Sequence, residues 1–352
     1  MLISVIVPIY NSEKHLEKCL QSIALQTYRE IEVICILDGV TDDSKDIVLG
    51  IKSSDNRFVV IENSENFGLV RSRKVGVEAA KGSIICFVDS DDWVGENFVQ
   101  DIVDDFCDDV DCVVYGHNEV RDDVICSVSP AFLGEFFVQD FLTDGLTFCY
   151  NYDFTVFGLT TFLWNKGFRK EKFESVLNRV DDGVTIGEDF LFLLNYLRVS
   201  FKLKSIDKFN YFYVQHSESM VKSRSLGTFE RLEILRNQVQ SVDLKIFNLP
   251  SVQRYLDSVY FIRMFCPRGL LEHKFNSLVY VLHNSTFLLV GFGTFRNHVD
   301  SYVRERNLKV YCGEDIENVV YVICHIEGNQ RKLEEQKCRN RGRKFWSIAE
   351  ND

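Results

Sequence analysis

The chain opens on an unbroken, largely β-branched apolar run from Leu2 to Val7, the pattern of a strand covered on both faces. Behind it, Leu16, Cys19, Leu20, Ile23 and Ala24 recur at helical spacing, with Asn11 or Ser12 as N-cap and Thr27 near the end. The alternation repeats, with strands at about Ile31 to Leu37, Phe58 to Glu62 and Ser83 to Val88, and helices at about Asp42 to Ile51 and Gly68 to Ala80. Helix and strand alternating in this way predict an α/β fold with a doubly wound, mostly parallel sheet. Ligands of such sheets bind beyond the carboxyl ends of the strands. Those ends carry Pro8, Ile9 and Tyr10, then Asp38 and Gly39, then Asp89, Ser90, Asp91 and Asp92.

From about Tyr115 the texture shifts to shorter, aromatic-rich pieces, and beyond Thr228 the apolar spacing of three and four predicts helices, punctuated at Pro250 and Pro267. The expected organisation is residues 1–115 and 116–225 as two halves of one domain, with 226–352 as a C-terminal helical region ending in a basic tail. The apolar stretch Phe275 to Phe295 is broken by Asn276, His283, Asn284, Ser285 and Thr286, which suits a buried or interfacial helix pair better than a membrane span.

With 352 residues and 46% hydrophobic content the chain can bury a large core without cross-links. Its 11 cysteines are odd in number and scattered singly, which reads as reduced packing residues. Met1 leads straight into a strand rather than a secretory leader, so the expected location is cytoplasmic. A formal net charge of -12 argues against a nucleic-acid partner. It also means that a diphosphate ligand needs local neutralisation, which a divalent cation held by carboxylates supplies.

Phe87-Val88-Asp89-Ser90-Asp91-Asp92-Trp93 sets three carboxylates directly after a buried strand, a set of hard oxygens suited to Mg2+ or Mn2+. The same residues suit a turn capping a helix near Glu96, and taken alone they leave both readings open. Asp38 could accept from the imino N–H of a pyrimidine and Tyr10 could stack on that base, although Asp38-Gly39 is also an ordinary turn dipeptide. Arg71 and Arg73 lie early in a helix beside the same edge, and one of the two is expected on a solvated face. Glu188-Asp189 stands before the apolar run Phe190 to Leu197, as a helix cap or as a general base.

In order along the chain stand Ser4-Val5-Ile6-Val7-Pro8-Ile9-Tyr10-Asn11, Asp38-Gly39, Thr41-Asp42, Asn66, Gly68, Arg73, Gly76, Gly82 and Asp89-Ser90-Asp91-Asp92, followed by Trp164-Asn165-Lys166, Glu188-Asp189 and Tyr211-Phe212-Tyr213. Across about the first 220 residues this series resembles the family 2 inverting glycosyltransferases. The resemblance implies a GT-A fold, Rossmann-like and doubly wound, and a divalent metal, Mn2+ or Mg2+. It puts Pro8, Tyr10, Asp38, Arg73, Asp89 and Ser90 on the donor side, Asp91 on the metal with His216 as a further ligand, and Asp189 as catalytic base. Trp164, Asn165, Lys166 and Glu188 fall on the acceptor side. The chain departs from the family pattern at Leu37, where an aspartate is usual, at Lys74, where asparagine is, and at Val214, where arginine is often found, with His216 and Arg224 nearby as stand-ins.

The function implied is metal-dependent transfer of a sugar, with inversion, from a nucleotide diphosphate donor to a hydroxyl of a saccharide or lipid-linked acceptor. UDP is the nucleotide expected from the resemblance, and bacterial surface-polysaccharide assembly the setting. The alternative is a non-catalytic subunit that binds a nucleotide sugar within a glycosyltransferase complex, against which stands the intact set Asp38, Asp89, Asp91 and Asp189. The cluster Arg331, Lys332, Lys337, Arg339, Arg341, Arg343 and Lys344 before Phe345-Trp346 suits either a solvated tail or a peripheral contact at the inner face of the cell membrane.

Overall fold

The first apolar run forms β1 (Ile3–Ile9), with all seven residues buried. The structure, a computed structural model of the full chain, describes residues 1–121, 124–130, 133–139, 160–215 and 228–243, and beyond them positions 252, 256, 259, 287–290, 299, 320–323, 336 and 345–347. The expected alternation is present as α1 (Glu13–Ala24), β2 (Ile31–Asp38), α2 (Ser44–Ser54), β3 (Phe58–Asn63), α3 (Leu69–Ala79) and β4 (Ile84–Phe87). After them come β5 (Trp93–Val94), α4 (Phe98–Asp105), β6 (Cys112–Tyr115), β7 (His117–Arg121), β8 (Val124–Val128), β9 (Gly134–Phe137), β10 (Lys166–Arg169), α5 (Lys170–Glu174), α6 (Glu188–Leu197), β11 (Lys202–Ile206), β12 (Tyr211–Val214) and α7 (Thr228–Val242).

Eight strands form one sheet in the order β3-β2-β1-β4-β10-β6-β11-β9. The first four are parallel, and β10 runs antiparallel between β4 and β6. Strand order reverses at β1, so the gap between the carboxyl ends of β1 and β4 is the switch point where such sheets take ligands. Pro8 helps to open that gap. The β1–β4 ladder ends at Ile6 and Phe87, with Val88 N–H donating to the Ile6 carbonyl at 3.0 Å. Pro8 faces the same side as Ile6 and has no N–H to extend the ladder, while on its other side the register with β2 continues. A smaller sheet, β5-β12-β7-β8, ties the turn after β4 to the second half of the domain.

The helix starts are capped across elements. Ser12, expected as an N-cap, makes no side-chain cap bond. Instead Asp42 accepts from Glu13 N–H at 3.0 Å, Ser44 Oγ accepts from Ser12 N–H at 2.9 Å, and Glu13 accepts from Asp43 N–H at 3.0 Å. The neighbouring loop satisfies donors that a local cap would otherwise serve.

Two units divide the chain, and the first (residues 1–149, 155–216 and 229–249) contains every described site residue. In the second, the described positions 252, 256, 259, 299 and 336 are helical, and three short strands add to the helices that periodicity predicts. β13 (Phe287–Val290), β14 (Val320–Ile323) and β15 (Phe345–Ser347) form a parallel three-stranded sheet. Each is a short apolar or aromatic run, which periodicity alone does not separate from a buried helix segment. The expected helix pair at Phe275 to Phe295 is thus a strand at 287–290 and otherwise lies outside the described residues. The aromatic pair Phe345-Trp346 belongs to β15, while the basic residues before it lie outside the described residues. Among the described residues no helix is long and apolar enough to cross a membrane.

Gly39, just past β2, has φ of 63°, and a Cβ there would stand 2.3 Å from the Asn66 backbone nitrogen. Left-handed backbone alone costs a non-glycine residue about 1–2 kcal/mol. Gly39→Ala is therefore expected to lower stability by at least that much, read as a shift in urea midpoint. An unchanged midpoint would refute this account of the turn.

Candidate active site

The acidic turn after β4 is organised from beneath by β12. Asp92 is buried, and its carboxylate accepts from Tyr211 Oη–H at 2.7 Å and from Val214 N–H at 2.7 Å. The Tyr211 oxygen also accepts from Asp89 N–H at 3.2 Å. Asp92 is therefore a structural member of the turn, and its pKa is pushed well up by burial, with Asp91 and Asp89 adding to the rise. Asp89, Ser90 and Asp91 are partly exposed. Ser90 and Ser12 share a 2.6 Å hydroxyl contact that joins the turn to the loop after β1. Tyr10 is 49% exposed at the end of β1, whereas Pro8 is buried in the strand.

Arg73, on α3, is 1% exposed and gathers the acidic groups of both halves of the domain. Its Nη1 donates to Asp189 Oδ1 in a short contact and lies 3.8 Å from Glu188, and its Nη2 is 3.5 Å from Asp89. Burial works against its charge, yet Asp189, Asp89 and Glu188 hold its pKa above the usual value. Burial pushes Asp89 up to about 7, against the pull of Arg73, with Asp189, Asp91 and Glu188 adding to the rise. The cluster thus carries an excess of negative charge. Arg71 is only partly buried, in keeping with one arginine of the pair lying on a solvated face.

Glu188 and Asp189 open α6 behind Gly187, whose φ is 72°. Gly187 at the N-cap position has no side chain to cap the helix, and the Asp189 carboxylate is directed to Arg73. Its second oxygen accepts from Leu163 N–H at a long 3.4 Å. The loop before α6 is held by Lys74, buried on α3, whose Nζ donates to the Val180 carbonyl at 2.6 Å and to Asp182 at 2.5 Å.

Several expected site residues turn inward. Asp38 is 3% exposed, and its carboxylate accepts from Asn63 Nδ2 at 2.7 Å, Phe67 N–H at 3.1 Å and Gly68 N–H at 2.8 Å. It holds the approach to α3, where orphan N–H groups need an acceptor. Trp164, Asn165 and Lys166, expected on the acceptor side, are all buried beneath the site. Trp164 stacks on Tyr211 at 4.4 Å and on Tyr213 at 5.4 Å, and Asn165 donates to the Tyr115 carbonyl at 2.8 Å. Large aromatic and amide groups buried in this way must find partners inside the domain, which leaves none of them facing an acceptor. His216 and Arg224 lie outside the described residues. Tyr211 and Lys74 are the contributors that site reasoning from sequence missed. The aromatic strand and the departure at Lys74 were visible, but not their contacts across more than 100 residues.

A switch-point crevice with a carboxylate turn on one side and a helix-borne carboxylate on the other defines a GT-A domain. The fold is shared with the structure of residues 1–349 of TarS from S. aureus in complex with UDP-GlcNAc, at a TM-score of 0.56 and 21% identity, covering 75% of this chain and 72% of that one. Residues 4–151 match the profile of Glycosyl transferase family 2. It is 30% identical over 225 residues to the uncharacterized glycosyltransferase EpsJ of Bacillus subtilis, spanning 63% of each chain. It is 39% identical over 94 residues to the UDP-Glc:alpha-D-GlcNAc-diphosphoundecaprenol beta-1,3-glucosyltransferase WfaP of Escherichia coli, covering 26% of this chain and 37% of that protein. The chain thus spans less than two thirds of the length of either relative.

Tyr211→Phe removes the hydroxyl shared by Asp89 and Asp92 and leaves a buried carboxylate one donor short. A loss of about 1–3 kcal/mol in stability is expected, measured by urea unfolding. Wild-type stability would mean that the hydroxyl does not hold the turn.

Proposed function

We propose that the protein is an inverting glycosyltransferase that moves a sugar from a nucleotide diphosphate donor, UDP-linked, to a hydroxyl of a saccharide or lipid-linked acceptor in polysaccharide biosynthesis. The observation that carries this reading is the Arg73 cluster, which sets the carboxylate turn of the donor half against Asp189, itself 116 residues beyond Arg73 in sequence. Supporting it are the family match and relatives whose names describe glycosyl transfer, one with a UDP-glucose donor and a diphosphoundecaprenol-linked acceptor.

In the reaction Asp189 is the general base. Its Oδ1 is engaged by Arg73, so Oδ2 is the atom that takes the proton of the acceptor hydroxyl as the nucleotide diphosphate leaves from the opposite face. Tyr10, exposed at the end of β1, offers a stacking face for the base, and Ser90 and Asp89 flank the sugar and ribose. Glu188, partly exposed beside Asp189, faces the acceptor side.

Mn2+ or Mg2+ fits this donor set. Among the described residues no three His, Cys, Asp or Glu side chains group into a metal cage, but Mg2+ is commonly held by one or two carboxylates, with substrate phosphates and water completing the shell. Asp91, partly exposed in a turn with excess negative charge, would hold the ion, with Asp89 beside it. When bound, the ion would neutralise charge growing on the leaving diphosphate. A peripheral membrane contact through the basic residues before β15 would bring this site to a lipid-linked acceptor.

Release of UDP from a panel of UDP-sugars, with Mn2+ and with chelator, tests the proposal, and no release from any donor would overturn it. Asp91→Ala is expected to abolish metal-dependent UDP binding in calorimetry, and unchanged affinity with the same metal requirement would remove Asp91 from the site. Asp189→Asn is expected to keep UDP affinity while losing roughly 10²- to 10⁴-fold in turnover. Near wild-type turnover in that variant would refute its role as base.

A further inference from the structure

Lys166 lies on β10, between β4 and β6, and is wholly buried. An ammonium so placed must use its three N–H bonds inside the protein. It does so, donating to Thr160 Oγ1 at 3.0 Å, to the Phe162 carbonyl at 2.5 Å and to Asn165 Oδ1 at 2.6 Å. Burial pushes its pKa down to about 7, while Cys112 and Asp189 pull the other way. Asp189 is therefore within electrostatic reach of a cation to which it is not directly bonded. A methionine would fill much the same space without the desolvation cost of an ammonium, so packing alone does not account for the charge.

One peptide group links the two residues. The Phe162 carbonyl accepts from Lys166, and across the same peptide bond Leu163 N–H donates to Asp189 Oδ2. Hydrogen bonds in series polarise one another, so a peptide whose carbonyl is held by a cation is a better and better-aligned donor. Arg73 fixes the other carboxylate oxygen from α3. Between them the Asp189 plane is set from two sides.

We propose that Lys166 is a positioning residue for sugar transfer, which fixes the Phe162–Leu163 peptide and through it orients the Asp189 carboxylate so that Oδ2 faces the acceptor hydroxyl. This rests on the reading of Asp189 as the base. The experiment is a double-mutant cycle of Lys166→Met and Asp189→Asn. Each variant is assayed for UDP release from the UDP-sugar that the donor panel selects, with water as acceptor, and for UDP affinity by calorimetry. Lys166→Met is expected to lower turnover roughly 10- to 100-fold with UDP affinity unchanged, and to lower it no further in the Asp189→Asn background. An equal loss in both backgrounds, or no loss in either, overturns the proposal and leaves the base reading intact. Full turnover by Asp189→Asn overturns the base reading, and the proposal with it. Should Lys166→Met not fold, Thr160→Val, which removes one of the three acceptors, enters the same cycle. A smaller loss that vanishes beside Asp189→Asn is then expected, and an additive loss overturns the proposal.

Discussion

A guanidinium with almost no access to water is tolerable only if carboxylates surround it, and the arrangement of this domain follows from that demand on Arg73. The arginine sits on a helix packed so closely on the sheet that a Cβ at Gly76 would stand 2.4 Å from the Ile6 side chain. Its position is therefore set by β1. The groups that approach it, Asp89 from the end of β4 and Glu188 and Asp189 from the start of α6, are set in turn by the arginine. Breaking such a buried pair leaves an uncompensated charge, whereas replacing all its members with apolar groups can be neutral or better. The cluster is thus poor evidence for stability and good evidence for arrangement.

Below it a second layer separates acidic residues that support from those that face the crevice. Asp92 spends its carboxylate on Tyr211 and the Val214 backbone, and Trp164 stacks under Tyr211. Lys166 plays a comparable part under Asp189. Both supports come from the second half of the domain, so the acidic turn and the helix-borne carboxylate rest on a shared foundation.

The parallel half of the sheet was legible because its strands are continuous apolar runs and its helices carry a clear stripe, both local properties. Most boundaries fell within a residue or two of those read from pattern, the end of α2 within three. The acidic turn and Glu188-Asp189 were legible as carboxylates next to element ends. The inward turn of Asp38, Trp164, Asn165 and Lys166 was not, because a polar or aromatic residue near a strand end reads alike whether it faces a crevice or a neighbour. The short strand at 287–290 was read as part of a helix pair for want of length.

The sequence by itself determined the alternation of β and α and the placing of hard oxygens directly after buried strands, since each depends on residues close together in the chain. Only the tertiary structure decided which of those residues support and which are presented. Arg73 meeting Asp189, Tyr211 meeting Asp92 and Lys166 reaching Asp189 through one peptide depend on which strands neighbour one another. That order comes from burying the whole sheet at once, where each polar group must find a partner wherever the fold supplies one.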